Sequence, residues 1–588
     1  MVRVVYPMHG TPLIALITDF FQKRQARCRA DVLVLLIFFG AALFQSLGKF
    51  PLIEPDEGRY AEIPREMLER NDFLTPRLNY VKYFEKPPLY YWLNCISFSL
   101  FGQNEFAARF FSALSALLGI ILTYQIGRAI FGRREGLLAA MVLGTSMGYL
   151  VQGRLNTTDM ALSLFMTASL GFFLLALRQD AHRRTLSFYL SSACAALAVL
   201  TKGPIGVILP GIAIALYMIP RRRRSWLSMM PLARAIALFI LLSAPWFILV
   251  SIRNPEFPGF FFVAMNLKRF TAPDEHVQPL WFFIPILLGF MFPWSLFLPA
   301  AAGRFWNGRA ERGAGGRSFL WIWLLVIFCF FSLSKSKLVT YILPAFPAVA
   351  LLIGQALSDA CDGNFKLVRR QAWAICSLLI IGAIGFALYP FLVATPRIMP
   401  HRCVAISMLL LAEGLLCLTA VRRGDMVRFF IVLCTMSYIM GIVAPPGALE
   451  MLASKKSGIK LALLVKERAP SGALVASYGW YDQNLPFYAQ RRIAVVGTHG
   501  ELEFGSRQED TSAWFINYTQ LSRLWDSGRP IFLLIKKRDM PLFSTSVKTP
   551  IRVLGREGKT LLITNQRHTA GREIRGDTRH RAFAVCDG

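Results

Sequence analysis

Charged residues are scarce in this chain, and acidic ones are the scarcer half. They make up 17% of the sequence, where a soluble domain carries about 25%. With 55% hydrophobic residues, an ordinary water-soluble fold is excluded. No CxxC pair and no disulfide-like spacing connects the 10 cysteines. Most lie in apolar runs (Cys194, Cys329, Cys376, Cys417, Cys434), so buried, inert thiols are expected. No small-residue cleavage site follows the first apolar run, Val32–Gly48, although Lys23, Arg24, Arg27 and Arg29 precede it. That argues against a cleaved signal and for an uncleaved first span. No basic stripe marks a soluble module, so the formal charge of +30 does not read as nucleic-acid binding. It reads as cytoplasmic-side anchoring or affinity for anionic lipid. No repeat and no low-complexity tract is present.

What the chain has in abundance is long apolar runs. Roughly thirteen reach the length of a span. They lie near 32–49, 107–127, 136–151, 160–177, 187–201, 205–219, 233–252, 281–301, 318–333, 339–357, 372–394, 404–421 and 427–447. The aromatic run at 88–101 is too short and is expected to lie at the interface. With the N-terminus in the cytoplasm, the loops Arg128–Arg134, Arg178–Arg184, Arg221–Arg224, Arg304–Arg317, Lys366–Arg370 and Arg422–Arg428 fall on the cytoplasmic side. Each is rich in Arg or Lys, as the positive-inside rule requires. The loops 50–106, 152–159, 202–204, 253–280, 334–338 and 395–403 are then external, and so is the C-terminal part. After Pro446 the composition changes. Lys455–Arg468 reads as an amphipathic helix and Thr519–Trp525 as another helix. Strand-like runs are Ala473–Tyr478, Arg492–Val496, Ala513–Tyr518, Pro530–Ile535 and Arg552–Thr564. The fold class is therefore a polytopic α-helical membrane protein with a small C-terminal α/β domain. The expected organisation is a cytoplasmic tail over 1–31, a membrane domain over 32–447 with the external loop 50–106, an external α/β domain over 448–568, and a disordered basic tail over 569–588.

The external loops hold the chemistry. Pro55–Pro88 gathers Asp56, Glu57, Arg59, Tyr60, Glu62, Arg65, Lys82, Tyr83, Glu85 and Lys86 directly after the first span. Asp56 reads either as a helix N-cap or as a base or charge stabiliser at a reacting centre. The other external loops add Arg154 and Asp159, Lys202, Lys268, Arg269 and His276, and Lys335 and Lys337 followed by Tyr341. Each lysine alone reads as a helix-end snorkeler. Together they form a cationic ring at the membrane surface, suited to a lipid phosphate or diphosphate. Glu413 stands inside an apolar run, where a carboxylate is functional by default, with no partner evident in sequence.

Several motifs in order resemble one family. They are Pro55-Asp56-Glu57-Gly58-Arg59-Tyr60-Ala61-Glu62-Ile63, Tyr83-Phe84-Glu85-Lys86-Pro87, Leu200-Thr201-Lys202-Gly203, His276-Val277-Gln278-Pro279-Leu280-Trp281, and Ser334-Lys335-Ser336-Lys337-Leu338-Val339-Thr340-Tyr341-Ile342-Leu343-Pro344. The chain resembles the lipid-dependent glycosyltransferases of the GT-C superfamily. Its closest branch is the bacterial 4-amino-4-deoxy-L-arabinose transferases, related to protein O-mannosyltransferases. The resemblance implies a sugar donor carried on undecaprenyl phosphate and an acceptor, lipid A or another molecule, at the periplasmic face of the bacterial inner membrane. It implies Asp56 as the catalytic carboxylate and Asp159 as a second acid. Arg59, Lys86, Lys202 and Tyr341 would bind the lipid phosphate, with Tyr60 and Tyr83 nearby and Lys82, Arg269, Lys335 and Lys337 in the same cationic set. Glu85 would be a metal ligand, with His276 as a second candidate for zinc. Asn266 stands where the relatives carry a histidine, and an amide is a poorer zinc ligand.

Two alternatives stay open at this level. The phosphate-binding motifs do not read the sugar, so a hexose transferred to a glycan, lipid or protein hydroxyl fits them equally. A lipid or sugar transporter would instead place ionisable groups near the midplane, where only Glu413 stands.

Overall fold

The computed structural model describes residues 28–179, 181–219, 231–268, 276–307, 314–362, 365–393 and 400–566. They form two compact units. The first takes in the chain up to Leu52, Ile63–Arg77 and Tyr83–Ala453. The second takes in Ile53–Glu62, Leu78–Lys82 and the chain from Ser454. The predicted tail from 569 lies outside the described residues.

Backbone groups in hydrocarbon must find partners within their own segment, so apolar runs become helices. Among the described residues, nine helices are long and apolar enough to span: Glu105–Ile130, Thr158–Ala176, Arg183–Lys202, Leu232–Arg253, Gly315–Leu333, Val339–Cys361, Arg369–Leu392, Pro400–Arg422 and Met426–Val443. The bent pair Leu280–Phe290 and Trp294–Arg304, at 108° to each other, adds a tenth if counted as one span. The protein is thus a multi-pass membrane protein, but the predicted roughly thirteen spans are not reached by this length criterion. The remaining runs form shorter helices. Cys28–Phe44 and Ile205–Met218 have 17 and 14 residues. The run at 136–151 breaks into Arg133–Gly144 and Met147–Gln152. There the Thr145 and Ser146 hydroxyls donate back to the carbonyls of Met141 and Val142, both at 2.6 Å, which favours a helix end.

The first helix is already formed at Cys28, ahead of the predicted start at 32. Its Asp31 is fully buried and accepts from Arg133 at 2.7 and 2.6 Å and from the Tyr124 hydroxyl at 2.5 Å. Small residues allow close helix packing, as is usual in membranes. A Cβ on Gly127 would lie 2.7 Å from the Gly136 Cα. Val339–Cys361 is the most enclosed span, and the buried Trp294 and Trp323 indoles donate to Thr145 Oγ1 and the Pro344 carbonyl, both at 2.9 Å. Leu232–Arg253, Arg369–Leu392 and Pro400–Arg422 turn Leu241, Ile252, Ile381, Phe391 and Met408 outward, an apolar surface suited to lipid. Leu89–Phe101 is a helix of 13 residues, too short to span.

The last long helix runs from Met426 to Lys456, past the predicted boundary at 447. Gly458, at φ 61°, separates it from the helix Ile459–Arg468. Two short strands, β1 (Arg77–Leu78) and β2 (Val81–Lys82), form a hairpin. The second unit is built on a six-stranded sheet of β3 (Leu474–Tyr478), β4 (Ala494–Val496), β5 (Phe515–Ile516), β6 (Ile531–Lys536), β7 (Arg552–Glu557) and β8 (Thr560–Thr564). Its order is β5-β4-β3-β6-β8-β7. The first four strands are parallel, with Ala476 opposite both Ala494 and Leu533. The predicted run at 552–564 is two antiparallel strands turned at Gly558, φ 57°. Ile531–Ile535 is buried throughout, as expected of an interior strand with both faces covered. The helix Tyr518–Asp526 starts with a capping box in which Asn517 and Gln520 bond reciprocally at 2.8 Å.

Candidate active site

The second unit holds Asp56, Arg59, Tyr60 and Lys82. A helix begins at Asp56 and runs to Arg70. The bond that reaches back over its start comes from Glu57, whose Oε2 accepts from the Ile53 N–H at 2.9 Å. Asp56 is exposed, and its carboxylate accepts from Arg59 Nη2 at 2.5 Å. The N-cap alternative for Asp56 therefore loses its main support. Arg59 also donates through Nη1 to Glu501 Oε2 at 2.6 Å, and its guanidinium stands 5.6 Å from the Tyr60 ring centre. Gly58 has no room for a side chain, since a Cβ would lie 2.2 Å from Asn484 Oδ1.

A second carboxylate pair sits beside this segment. Glu54 accepts from the Gln483 N–H at 3.0 Å and is hydrogen-bonded to Asp482. Asp482 is buried and accepts from the backbone N–H groups of Leu485 and Asn484 at 2.9 and 3.2 Å. Burial, and then the charge of Asp482, push the Glu54 carboxyl well above the usual range. A carboxyl raised in the folded state stabilises it fully below the unfolded value. That stability is lost as pH rises through the folded value. The second unit is therefore expected to melt at a higher temperature in mild acid than at pH 8, and Glu54→Gln should flatten the difference, read by thermal unfolding across pH.

The first unit holds Tyr83, Glu85, Lys86, Asp159, Lys202, His276, Lys335, Lys337 and Tyr341. Arg269 lies outside the described residues. Asp159 sits in the first turn of Thr158–Ala176, and Lys202 ends Ala181–Lys202. Each charge suits the dipole of its own helix end. The two form an ion pair, with side chains 10% and 12% exposed, and the Lys202 ammonium lies 4.7 Å from the Tyr341 ring centre. The structure thus brings together three predicted residues separated widely in sequence. Two of the loops predicted to be external are also joined. Val277 bridges Ser336, the Lys337 N–H donates to the His276 carbonyl at 3.0 Å, and Lys337 Nζ donates to the Gln278 carbonyl at 2.9 Å. Burial lowers the Lys337 ammonium below its ordinary value. Lys335 is exposed, and Lys86 Nζ donates to the Glu85 carbonyl at 3.1 Å. Tyr83 is buried, and its N–H donates to the Pro76 carbonyl at 2.9 Å.

Among the described residues no group of three or more His, Cys, Asp or Glu side chains could hold a metal ion. His276 is exposed, and the Asn266 amide donates to the Phe261 carbonyl of its own helix at 2.7 Å. Among the described residues, then, no group fits a zinc centre. Glu413 is buried in Pro400–Arg422, which packs through Gly414 against Cys376, Leu379 and Ile380.

Some residues that shape the site escaped the sequence reading. Glu501 and Asp482 are far along the chain from the segment they hold. Arg109, buried near the start of Glu105–Ile130, donates to the carbonyls of Leu47 and Phe50 at 2.7 Å and of Pro51 at 2.9 Å. A buried cation in an apolar helix was the signal that could have found it. Arg109→Met strands three carbonyls and is expected to cost about 3 kcal/mol, read by denaturant unfolding in detergent. Arg154, which the sequence did single out in a loop predicted to be external, is also buried and donates to the carbonyls of Gly441 and Ala42.

Comparison with known proteins adds to this geometry. The family model of dolichyl-phosphate-mannose-protein mannosyltransferases matches residues 85–249, and that of the aminoarabinose transferase C-terminal domain matches 461–565. An undecaprenyl phosphate-alpha-4-amino-4-deoxy-L-arabinose arabinosyl transferase from Erwinia tasmaniensis is 31% identical over 490 residues, 80% of this chain and 86% of the relative. One of the same description from Pectobacterium carotovorum is 34% identical over 395 residues, 65% of this chain and 68% of the relative. The crystal structure of ArnT from Cupriavidus metallidurans bound to undecaprenyl phosphate matches with a TM-score of 0.81 and 28% identity, over 92% of this chain and 99% of that one.

Proposed function

The chain belongs to the family of undecaprenyl phosphate-4-amino-4-deoxy-L-arabinose arabinosyl transferases, and on that premise we propose that it moves this sugar from undecaprenyl phosphate to a lipid A phosphate. The observation that carries the reading is the extent of the likeness, which runs through both units rather than through one motif. In the reaction an acceptor phosphate oxygen attacks the anomeric carbon. The bond from that carbon to the donor phosphate breaks, and its electron pair leaves on undecaprenyl phosphate. Attack from the opposite face inverts the centre.

Charge develops in two places, cationic on the sugar and anionic on the departing phosphate. Fixed cations aimed at the leaving group are often the largest catalytic contribution. Lys202 is the best-prepared candidate, because Asp159 and Tyr341 already orient its ammonium. Lys86 and Arg59 are the further phosphate ligands of this reading, with Lys335 exposed at the same set of loops. Asp56 stabilises the cationic sugar or orients the acceptor. The basic loops at the opposite helix ends support an active face toward the periplasm, by the positive-inside rule.

Mass spectrometry of lipid A and of polyprenyl-phosphate sugars, with and without the gene, tests the reading. Aminoarabinose on lipid A phosphate only in the presence of the gene is the expected result. Unchanged lipid A beside an accumulating hexosyl lipid would overturn it.

A further inference from the structure

We infer that Glu501 is a positioning residue for this transfer: it shares the Arg59 guanidinium with Asp56 and keeps that carboxylate from being closed off. The inference rests on the proposed function for its reaction but on the second unit's own geometry for its contact.

Arg59 is 13% exposed and forked between two carboxylates, with Nη1 on Glu501 at 2.6 Å and Nη2 on Asp56 at 2.5 Å. A guanidinium is a rigid planar fork whose natural partner is a single carboxylate taken by two N–H groups. Glu501 occupies one arm of the fork, so Asp56 is held by the other arm alone. The Asp56 side chain stays 53% exposed as a result, open to a sugar or an acceptor. Without Glu501 the fork can turn to take both Asp56 oxygens, and the carboxylate and the cation would neutralise each other. Both groups would then be lost to the reaction together.

The element that carries Glu501 is stiff. It lies in the short turn Gly500–Leu502, shortly after β4, whose residues are all buried. His499 stacks on Phe515 at 5.0 Å and 4° between planes, and its Nδ1 meets Ser506 Oγ at 2.7 Å. The start of the Asp56 helix is fixed independently, through Gly58 against Asn484 and Glu54 against Gln483. Glu501 therefore does not hold the helix in place. It sets the direction of one side chain.

The test uses the full chain in lipid nanodiscs. In steady-state transfer from the undecaprenyl-phosphate sugar, Glu501→Ala is expected to lower kcat about tenfold, roughly one charge-assisted hydrogen bond, with little change in the acceptor KM. Glu501→Asp should recover most of the loss, and the melting temperature of both variants should stay at the parent value. Independently of turnover, undecaprenyl phosphate alone should bind Glu501→Ala about fivefold more weakly, by native mass spectrometry, because Arg59 is drawn onto Asp56. Parent-like kcat together with parent-like lipid-phosphate binding would overturn the inference. So would a kcat loss that Glu501→Asp does not recover and that a fall in melting temperature accompanies. If the parent itself does not transfer this sugar, the proposed function fails, and the lipid-phosphate measurement alone decides the role of Glu501.

Discussion

Asp56→Asn is expected to lower kcat about a hundredfold with a lipid A phosphate acceptor, within the range typical for losing one positioned acid–base or charge-stabilising group. The pH dependence of the loss separates the two roles of the carboxylate. A phosphate monoester has its second ionisation near about 6 and is mostly dianionic at neutral pH. No proton then needs removing, and on the proposed reading Asp56 would act by its charge on the cationic sugar. The ratio of parent to variant kcat/KM should accordingly stay flat between pH 7 and pH 8. If the ratio instead climbs steeply below pH 6, Asp56 is taking a proton from the acceptor. A variant with parent kinetics at every pH would remove Asp56 from the reaction. The structure sharpens this prediction because the helix start is bonded through Glu57, so the asparagine should leave the fold intact.

Lys202→Met is expected to be more damaging still, in two separable ways. The lysine and Asp159 are nearly buried together, and removing one partner of such a pair leaves the other charged without compensation. That costs about 3–5 kcal/mol of stability. The same change removes the cation best placed for the leaving phosphate, a loss of about 10²–10³ in kcat. The double variant Lys202→Met with Asp159→Asn should regain most of the stability, because neither side chain is then charged. It should regain none of the activity. Melting temperature and kcat measured on the single and double variants decide the matter. Activity that returned with the double variant would make the pair a structural tie only.

The parts of this molecule that were legible in the sequence are those where one local property dominates. A long apolar run can only be a helix in lipid, so the spans from Glu105 to Val443 stand where hydropathy puts them. The runs at 136–151 and 281–301 look identical to the others by hydropathy. What divides them is local: two hydroxyls bonding back at Thr145 and Ser146, and a sharp bend before Trp294. The strands β3 and β6 were visible as dense β-branched and apolar runs, whereas β7 and β8 merged because only Gly558 and Lys559 separate them. Asp159, Lys202 and Tyr341 were legible as a charge class on one side of the membrane, and the fold supplies their contact. Glu501 and Asp482 were not legible. A glutamate after a glycine in a soluble domain looks like any solvated charge, and its partner lies 442 residues away.

That separation bears on how the protein is made. Glu54 and Arg59 leave the ribosome early, while Gln483 and Glu501, which bond to them, follow 429 and 442 residues later. At typical bacterial elongation rates the interval is on the order of a minute. Throughout it the nascent chain carries Asp56 and Arg59 without the Glu501 contact. These contacts of the second unit can form only once the late segment has been made.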